Sequence, residues 1–161
     1  MGGLATRVLY RAAFASIGPG TTIVSPRRLS GVERISIGRD VAAYEGAWLA
    51  TERRGMLSIA DATYVGHDVH LHAIDPVAIG ARCVLADGVF IASSDHDRDD
   101  RHFVHGAGAI VIADDVFPGA EGHRAGRCAD RRRGDGGRRG VVTRDVPAGA
   151  VVAGVPARTI G

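Results

Sequence analysis

Ile59-Ala60-Asp61-Ala62-Thr63-Tyr64-Val65-Gly66-His67-Asp68-Val69-His70-Leu71 carries an aliphatic side chain at every sixth position. Ile79-Gly80-Ala81-Arg82-Cys83-Val84 leads in the same way to Leu85 and Ile91. A helix repeats every 3.6 residues and a flat strand every two, so neither produces this spacing. A chain that turns a corner every six residues does, and hexapeptide repeats read as a parallel β-helix. Each aliphatic is expected to point inward, and the Gly or Ala that often follows it to let the chain bend.

Outward from this stretch the beat runs back through Ile17-Gly18, Ile23, Leu29, and Ile35 or Ile37-Gly38. Thr51-Glu52-Arg53-Arg54-Gly55, flanked by Trp48-Leu49 and Met56-Leu57, is expected as a small excursion between coils. Residues 93–109 break the rhythm with Ser93-Ser94-Asp95-His96-Asp97-Arg98-Asp99-Asp100, too polar for a coil and therefore a projecting loop. Ile110-Val111-Ile112-Ala113-Asp114-Asp115-Val116-Phe117 restores the beat. Residues 4–15 read as a short amphipathic helix with Leu4, Val8, Leu9 and Ala12 on one face, suited to cap the open end of a coil stack. The domain reading is a helical cap over 1–16 and a solenoid over 17–161.

Composition narrows the partners. The 161 residues fit one domain, and an aromatic share of 5% suits a narrow aliphatic interior. All 20 cationic side chains are Arg, and the chain lacks Lys, Asn and Gln, which points to a G+C-rich gene. The net charge is +2, but residues 121–140 hold seven Arg against Glu121, Asp130 and Asp135, so the excess sits in one segment. A general nucleic-acid surface is not expected. Cys83 and Cys128 form neither a disulfide framework nor a zinc site, and Cys83 reads as a small buried filler. No apolar run approaches the ~18 residues of a membrane span. Without a signal-peptide pattern a cytoplasmic location is the expectation; Met1-Gly2-Gly3-Leu4-Ala5-Thr6 matches a myristoylation pattern too short to weigh against it.

Three further stretches give the repeats a family likeness. Ile91-Ala92-Ser93-Ser94-Asp95-His96 precedes the loop, and Ile112-Ala113-Asp114-Asp115-Val116-Phe117 follows it. Near the end stand Thr143-Arg144-Asp145-Val146-Pro147 and Gly154-Val155-Pro156-Ala157-Arg158. In that order they resemble the hexapeptide-repeat acyltransferases, in particular the sugar and polysaccharide O-acetyltransferase branch of the maltose and galactoside enzymes. The resemblance covers about residues 17–120 and 141–158 and implies a left-handed parallel β-helix. It also implies acetyl transfer from acetyl-CoA to a hydroxyl of a sugar or glycan precursor, in a homotrimer whose coenzyme groove lies between subunits, with no metal required.

By the same resemblance His96 is the general base. An alcohol is a poor nucleophile until a base within hydrogen-bond reach takes its proton, and imidazole titrates near neutral pH. Asp68, where relatives often carry Asn, and the loop acids Asp95 and Asp97 are the candidate acceptor-binding residues. Phe117, Ala120, Thr143, Arg144 and Arg158 match coenzyme-proximal positions, where a guanidinium can grip phosphate oxygens. Phe117 stands where relatives have Trp, and Pro118 replaces a repeat aliphatic.

Residues 121–140 have no beat, yet they occupy the place and the length of a regular coil. Out-of-frame translation accounts for this: G+C-rich codons can be chosen for the segment that, read one base later, spell hexapeptide repeat. A genuine Arg/Gly-rich loop is the alternative. As written the segment cannot line a β-helix interior, because unpaired buried charge is too costly. A nucleotide read across codons 116–142 decides between the two. If the segment is genuine, the rival function is a non-catalytic solenoid scaffold or inactive homologue. A γ-type carbonic anhydrase is a further rival, with His67, His70, His72, His102 and His105 as possible zinc ligands.

Overall fold

The computed structural model describes residues 9–52, 54–97, 100, 102–118, 141–142, 144–148, 150–153, 156 and 158–159. The strands fall into three parallel faces that successive coils visit in turn. The first face stacks β1 (Ser16–Ile17), β4 (Ile35–Ile37), β7 (Leu57–Ile59), β10 (Val77–Ile79) and β15 (Ile110–Ile112). The second stacks β2 (Thr22–Ile23), β5 (Ala42–Ala43), β8 (Tyr64–Val65) and β11 (Val84–Leu85). The third stacks β3 (Arg28–Ser30), β6 (Trp48–Thr51), β9 (His70–Ala73), β12 (Phe90–Ala92) and β17 (Val141–Val142). The expected parallel β-helix is therefore what forms.

Register turns the sixth-residue beat into three internal columns. Ile17, Ile37, Ile59, Ile79 and Ile112 lie one above another on the first face. Ile23, Ala43, Val65 and Leu85 do so on the second. Leu29, Leu49, Leu71, Ile91 and Val142 complete the third. Apart from Ile17 and Leu29 in the end coil, all of these are buried. Fully burying one such aliphatic contributes about 1.5–3 kcal/mol, so the columns are the main source of stability.

The small residue behind the aliphatic works differently from the expectation. Gly18, Gly38, Gly66 and Gly80 do not adopt positive φ. They are small because the next coil's backbone lies against them: a Cβ on Gly80 would stand 2.5 Å from the Ala113 carbonyl carbon. The left-handed residues come two places later, at Asp40 (φ 55°), Asp68 (φ 53°) and Arg82 (φ 55°). At these corners the Asp61, Asp87 and Asp114 carboxylates each accept a backbone amide of the preceding coil, from Arg39, His67 and Ala81 at 2.8–2.9 Å. Thr21 and Thr63 are buried under the same edge, each hydroxyl donating to the carbonyl of Gly38 or Gly80. Cys83 continues that column as a fully buried filler, as read from the sequence.

The cap differs in detail from the reading of 4–15. The helix α1 spans Arg11–Ala13 and the chain is extended at Phe14; residues 4–8 lie outside the described residues. Leu9 and Ala12 are exposed, and the end of the core is met by buried Phe14 with Tyr10 packed beside it (ring centroids 6.0 Å). The excursion at 51–55 is present, closed by the Gly55 amide donating to the Glu52 carbonyl at 2.8 Å. After the fifth coil begins, β16 (Phe117–Pro118) pairs in parallel with β18 (Val151–Ala153), which also pairs with β19 (Arg158–Thr159). Between β16 and β17 lie 22 residues, where four suffice in each earlier coil. The excess of 18 is three hexapeptides. The anomalous segment 121–140 lies outside the described residues.

Candidate active site

The polar interruption at 93–109 is a β-hairpin launched from the end of the third face. β13 (Ser94–His96) runs antiparallel to β14 (Val104–Gly106), pairing Ser94 with Gly106, Asp95 with His105 and His96 with Val104. His96 thus ends the outgoing strand at a backbone position fixed by its partner strand. The Asp97 amide extends the ladder by donating to the Phe103 carbonyl at 2.9 Å. At the tip the Asp97 carboxylate accepts the Asp100 amide, and the Asp100 carboxylate accepts the His102 amide, each at 3.0 Å. These two acids shape the turn, while Asp95 is exposed on the strand.

The hairpin root is tied to the preceding coil corner. Fully buried Ser93 accepts the Ile74 and Asp75 amides on its hydroxyl at 3.1 and 3.0 Å, and donates to the Asp75 carbonyl at 2.6 Å. Asp75 is itself buried. Its carboxylate accepts the Gly108 amide at 2.9 Å and the Arg54 Nε–H at 2.8 Å. Those two donors, the Gly108 amide first, hold its carboxyl below the usual carboxylate range.

Below the hairpin, the outer side of the third face bears a ladder of rings. Arg28 stands over the Trp48 ring at 5.0 Å. Trp48 stacks on His70 (4.8 Å, 16°), and His70 meets Phe90 at 4.5 Å. Burial between those rings, then His72 and Arg27, pushes the His70 imidazole down to about 4. One column over, His72 Nε2 lies 3.2 Å from Glu52 Oε1. Sequence reading had grouped these histidines only as possible metal ligands. The structure gives them separate partners: His67 lies 3.1 Å from Glu45, His72 faces Glu52, and His105 Nδ1 lies 3.0 Å from the Gly106 carbonyl. Among the described residues no group of three or more His, Cys, Asp or Glu could hold a metal ion.

The other candidates are spread over the solenoid. Asp68 sits at the corner between β8 and β9, its amide bonded to the Glu45 carbonyl at 3.0 Å and its carboxylate lying over Gly46. The hairpin leaves from a different corner, between the third and first faces, so the chain does not bring Asp68 to the hairpin root. Phe117 lies in β16, and Arg144 and Arg158 are exposed after β17 and in β19. Ala120 and Thr143 lie outside the described residues.

In sequence, 115 residues of the chain are 33% identical to proteins named "Putative colanic acid biosynthesis acetyltransferase WcaF" in Escherichia coli (strain K12) and Shigella flexneri. That stretch is 65% of this chain and 57% of the relatives, so the chain spans little more than half the length of the curated proteins it matches. In structure the whole chain aligns with 78% of a hexapeptide-repeat-containing acetyltransferase of Vibrio cholerae O1 biovar eltor, complexed with acetyl coenzyme A (TM-score 0.63, 16% identity). The fold is that of the hexapeptide-repeat acetyltransferases. A variant of AntD, an N-acyltransferase of Bacillus cereus in complex with dTDP and coenzyme A, shares this hexapeptide-repeat fold (TM-score 0.63, 15% identity, 96% of this chain and 86% of that one). No protein-family model matches the chain. The resemblance read from the repeats and the three flanking stretches thus recurs in overall sequence and in fold.

Proposed function

We propose that the protein transfers acetyl from acetyl-CoA to a hydroxyl of a sugar or glycan precursor, with His96 as general base. The observation that carries this reading is the hairpin: among the described residues it is the antiparallel pair that projects from the parallel coils, and its outgoing strand ends at His96. The likeness to WcaF supports a sugar-derived acceptor, and the acetyl-CoA-bound structural neighbour supports the donor.

In the reaction, the His96 imidazole takes the proton of the acceptor hydroxyl as its oxygen attacks the thioester carbonyl carbon. A backbone N–H holds the resulting oxyanion. Collapse breaks the carbon–sulfur bond, and the coenzyme A thiolate leaves with the proton returned from the imidazolium. Arg144 and Arg158 are proposed to hold the coenzyme phosphates, with Phe117, Ala120 and Thr143 beside its pantetheine, and Asp68, Asp95 and Asp97 to meet the acceptor. Such a site is completed between subunits of a homotrimer, which brings corners that are separate in one chain into one groove. A cytoplasmic location is part of this proposal, on the sequence expectation given above; no helix among the described residues is long and apolar enough to cross a membrane.

The test is release of coenzyme A thiol with acetyl-CoA and a panel of maltose, a galactoside and glucosamine. Transfer to hydroxyls is expected, and His96→Ala should lower kcat by about 10²–10⁴-fold. Full activity in His96→Ala contradicts the role of His96. Acetylation of the glucosamine amine alone contradicts the hydroxyl acceptor.

A further inference from the structure

We propose that Asp75 is a positioning residue that clamps the root of the His96 hairpin and so fixes where the base stands. The inference rests on the assignment of His96 above. Asp75 lies in the link between β9 and β10, one coil before the hairpin, and is 4% exposed. Both legs of the hairpin fasten to it. The outgoing leg is held through Ser93, whose hydroxyl bonds the Asp75 amide and carbonyl. The returning leg is held through the Gly108 amide, which donates to Asp75 Oδ2.

The returning leg also shows how close this approach is. A Cβ on Gly106 would overlap the Asp75 carboxylate, so only glycine lets β14 lie against it. Gly108 adopts φ 98°, a conformation open to glycine, and this turns its N–H toward Oδ2. The two legs then close on each other, with the Ala107 amide donating to the Ser93 carbonyl at 3.1 Å. Asp75 Oδ1 takes the Arg54 Nε–H, so the excursion at 51–55 supplies the cation that a buried carboxylate requires. His96 is three residues beyond Ser93 and His96's strand partner Val104 two before Gly106, leaving little chain between clamp and base.

The carboxylate cannot be replaced by its amide without loss. In Asp75→Asn, one of the two side-chain positions becomes an NH₂ facing either the Gly108 amide or the Arg54 guanidinium, donor against donor. Because Arg54 is itself exposed, Arg54→Ala removes one bond to the clamp with little risk to the core and serves as a second variant.

The experiment follows amide hydrogen exchange across residues 93–108 and, beside it, acetyl transfer from acetyl-CoA to a galactoside. In Asp75→Asn, faster exchange confined to the hairpin is expected, with kcat lowered by up to about 10²-fold and the KM for acetyl-CoA little changed. Arg54→Ala should move both in the same direction by less. Unchanged hairpin exchange in Asp75→Asn overturns the clamp, as does loosening spread equally through all coils. Loosening with full transfer overturns the positioning role. His96→Ala run in parallel keeps the two readings apart: if it too retains full transfer, the assignment of His96 has failed, and the exchange data still judge the clamp.

Discussion

His70 shows what a single side chain becomes once coils stack. Its neighbours Trp48 and Phe90 are 22 and 20 residues away in sequence, yet their rings lie within 5 Å of its own. The folded imidazole titrates near 4, against 6.5 when free of the fold. Between these values the unfolded chain binds more protons, so stability rises with pH across the window and is lost as pH falls from 6.5 toward 4. His70→Phe keeps a flat ring and removes the titration. Its melting temperature should therefore fall less than the native protein's between pH 7 and pH 4.5. The difference is of order 1 kcal/mol once solvent screening is allowed for, roughly 2–4 °C for a chain of this size. An identical loss in both proteins would show that the ring ladder does not carry the proton-linked term. The ladder was open to sequence reading, since Trp48, His70 and Phe90 each immediately precede a column aliphatic. Asp75 was not: nothing in Ile74-Asp75-Pro76-Val77 says that a hairpin 18 residues later will close on its carboxylate.

At the scale of elements, the sixth-residue beat located the inward columns because a face-to-face period of six is a property of local sequence. It misassigned the reason for glycine, because close approach between coils is a property of residues about 20 apart. Gly80→Ala separates the explanations. If bending freedom were the need, alanine would be tolerated at this ordinary φ. The short distance to Ala113 instead implies overpacking, with a loss of about 1–3 kcal/mol, read as a lower denaturant midpoint at unchanged slope. A neutral result would restore the bending explanation. The loop at 93–109 was legible as an interruption but not as a hairpin, since Ser94-Asp95-His96 and Val104-His105-Gly106 carry no alternation of apolar and polar side chains. Segment 121–140 was legible only as a contradiction, and it falls within the 22 residues that separate β16 from β17, outside the described residues.

For the whole molecule, the repeat pattern and three short flanking stretches were enough to reach the fold, and the acyl-transfer reading grew from the same residues. That Asp68 sits at the corner between β8 and β9 while Phe117 and Arg158 join one sheet through β18 was not legible, because six-residue periodicity fixes a residue's face without fixing which elements cooperate. The coenzyme binding proposed above has a thermodynamic consequence. The decisive measurement is the thermal unfolding of the purified protein with and without acetyl-CoA. At a hundredfold excess over its dissociation constant the ligand should stabilise the fold by about 2.7 kcal/mol, a rise of roughly 5–10 °C in melting temperature. No shift at any acetyl-CoA concentration would contradict the central claim and leave a solenoid that serves as a scaffold.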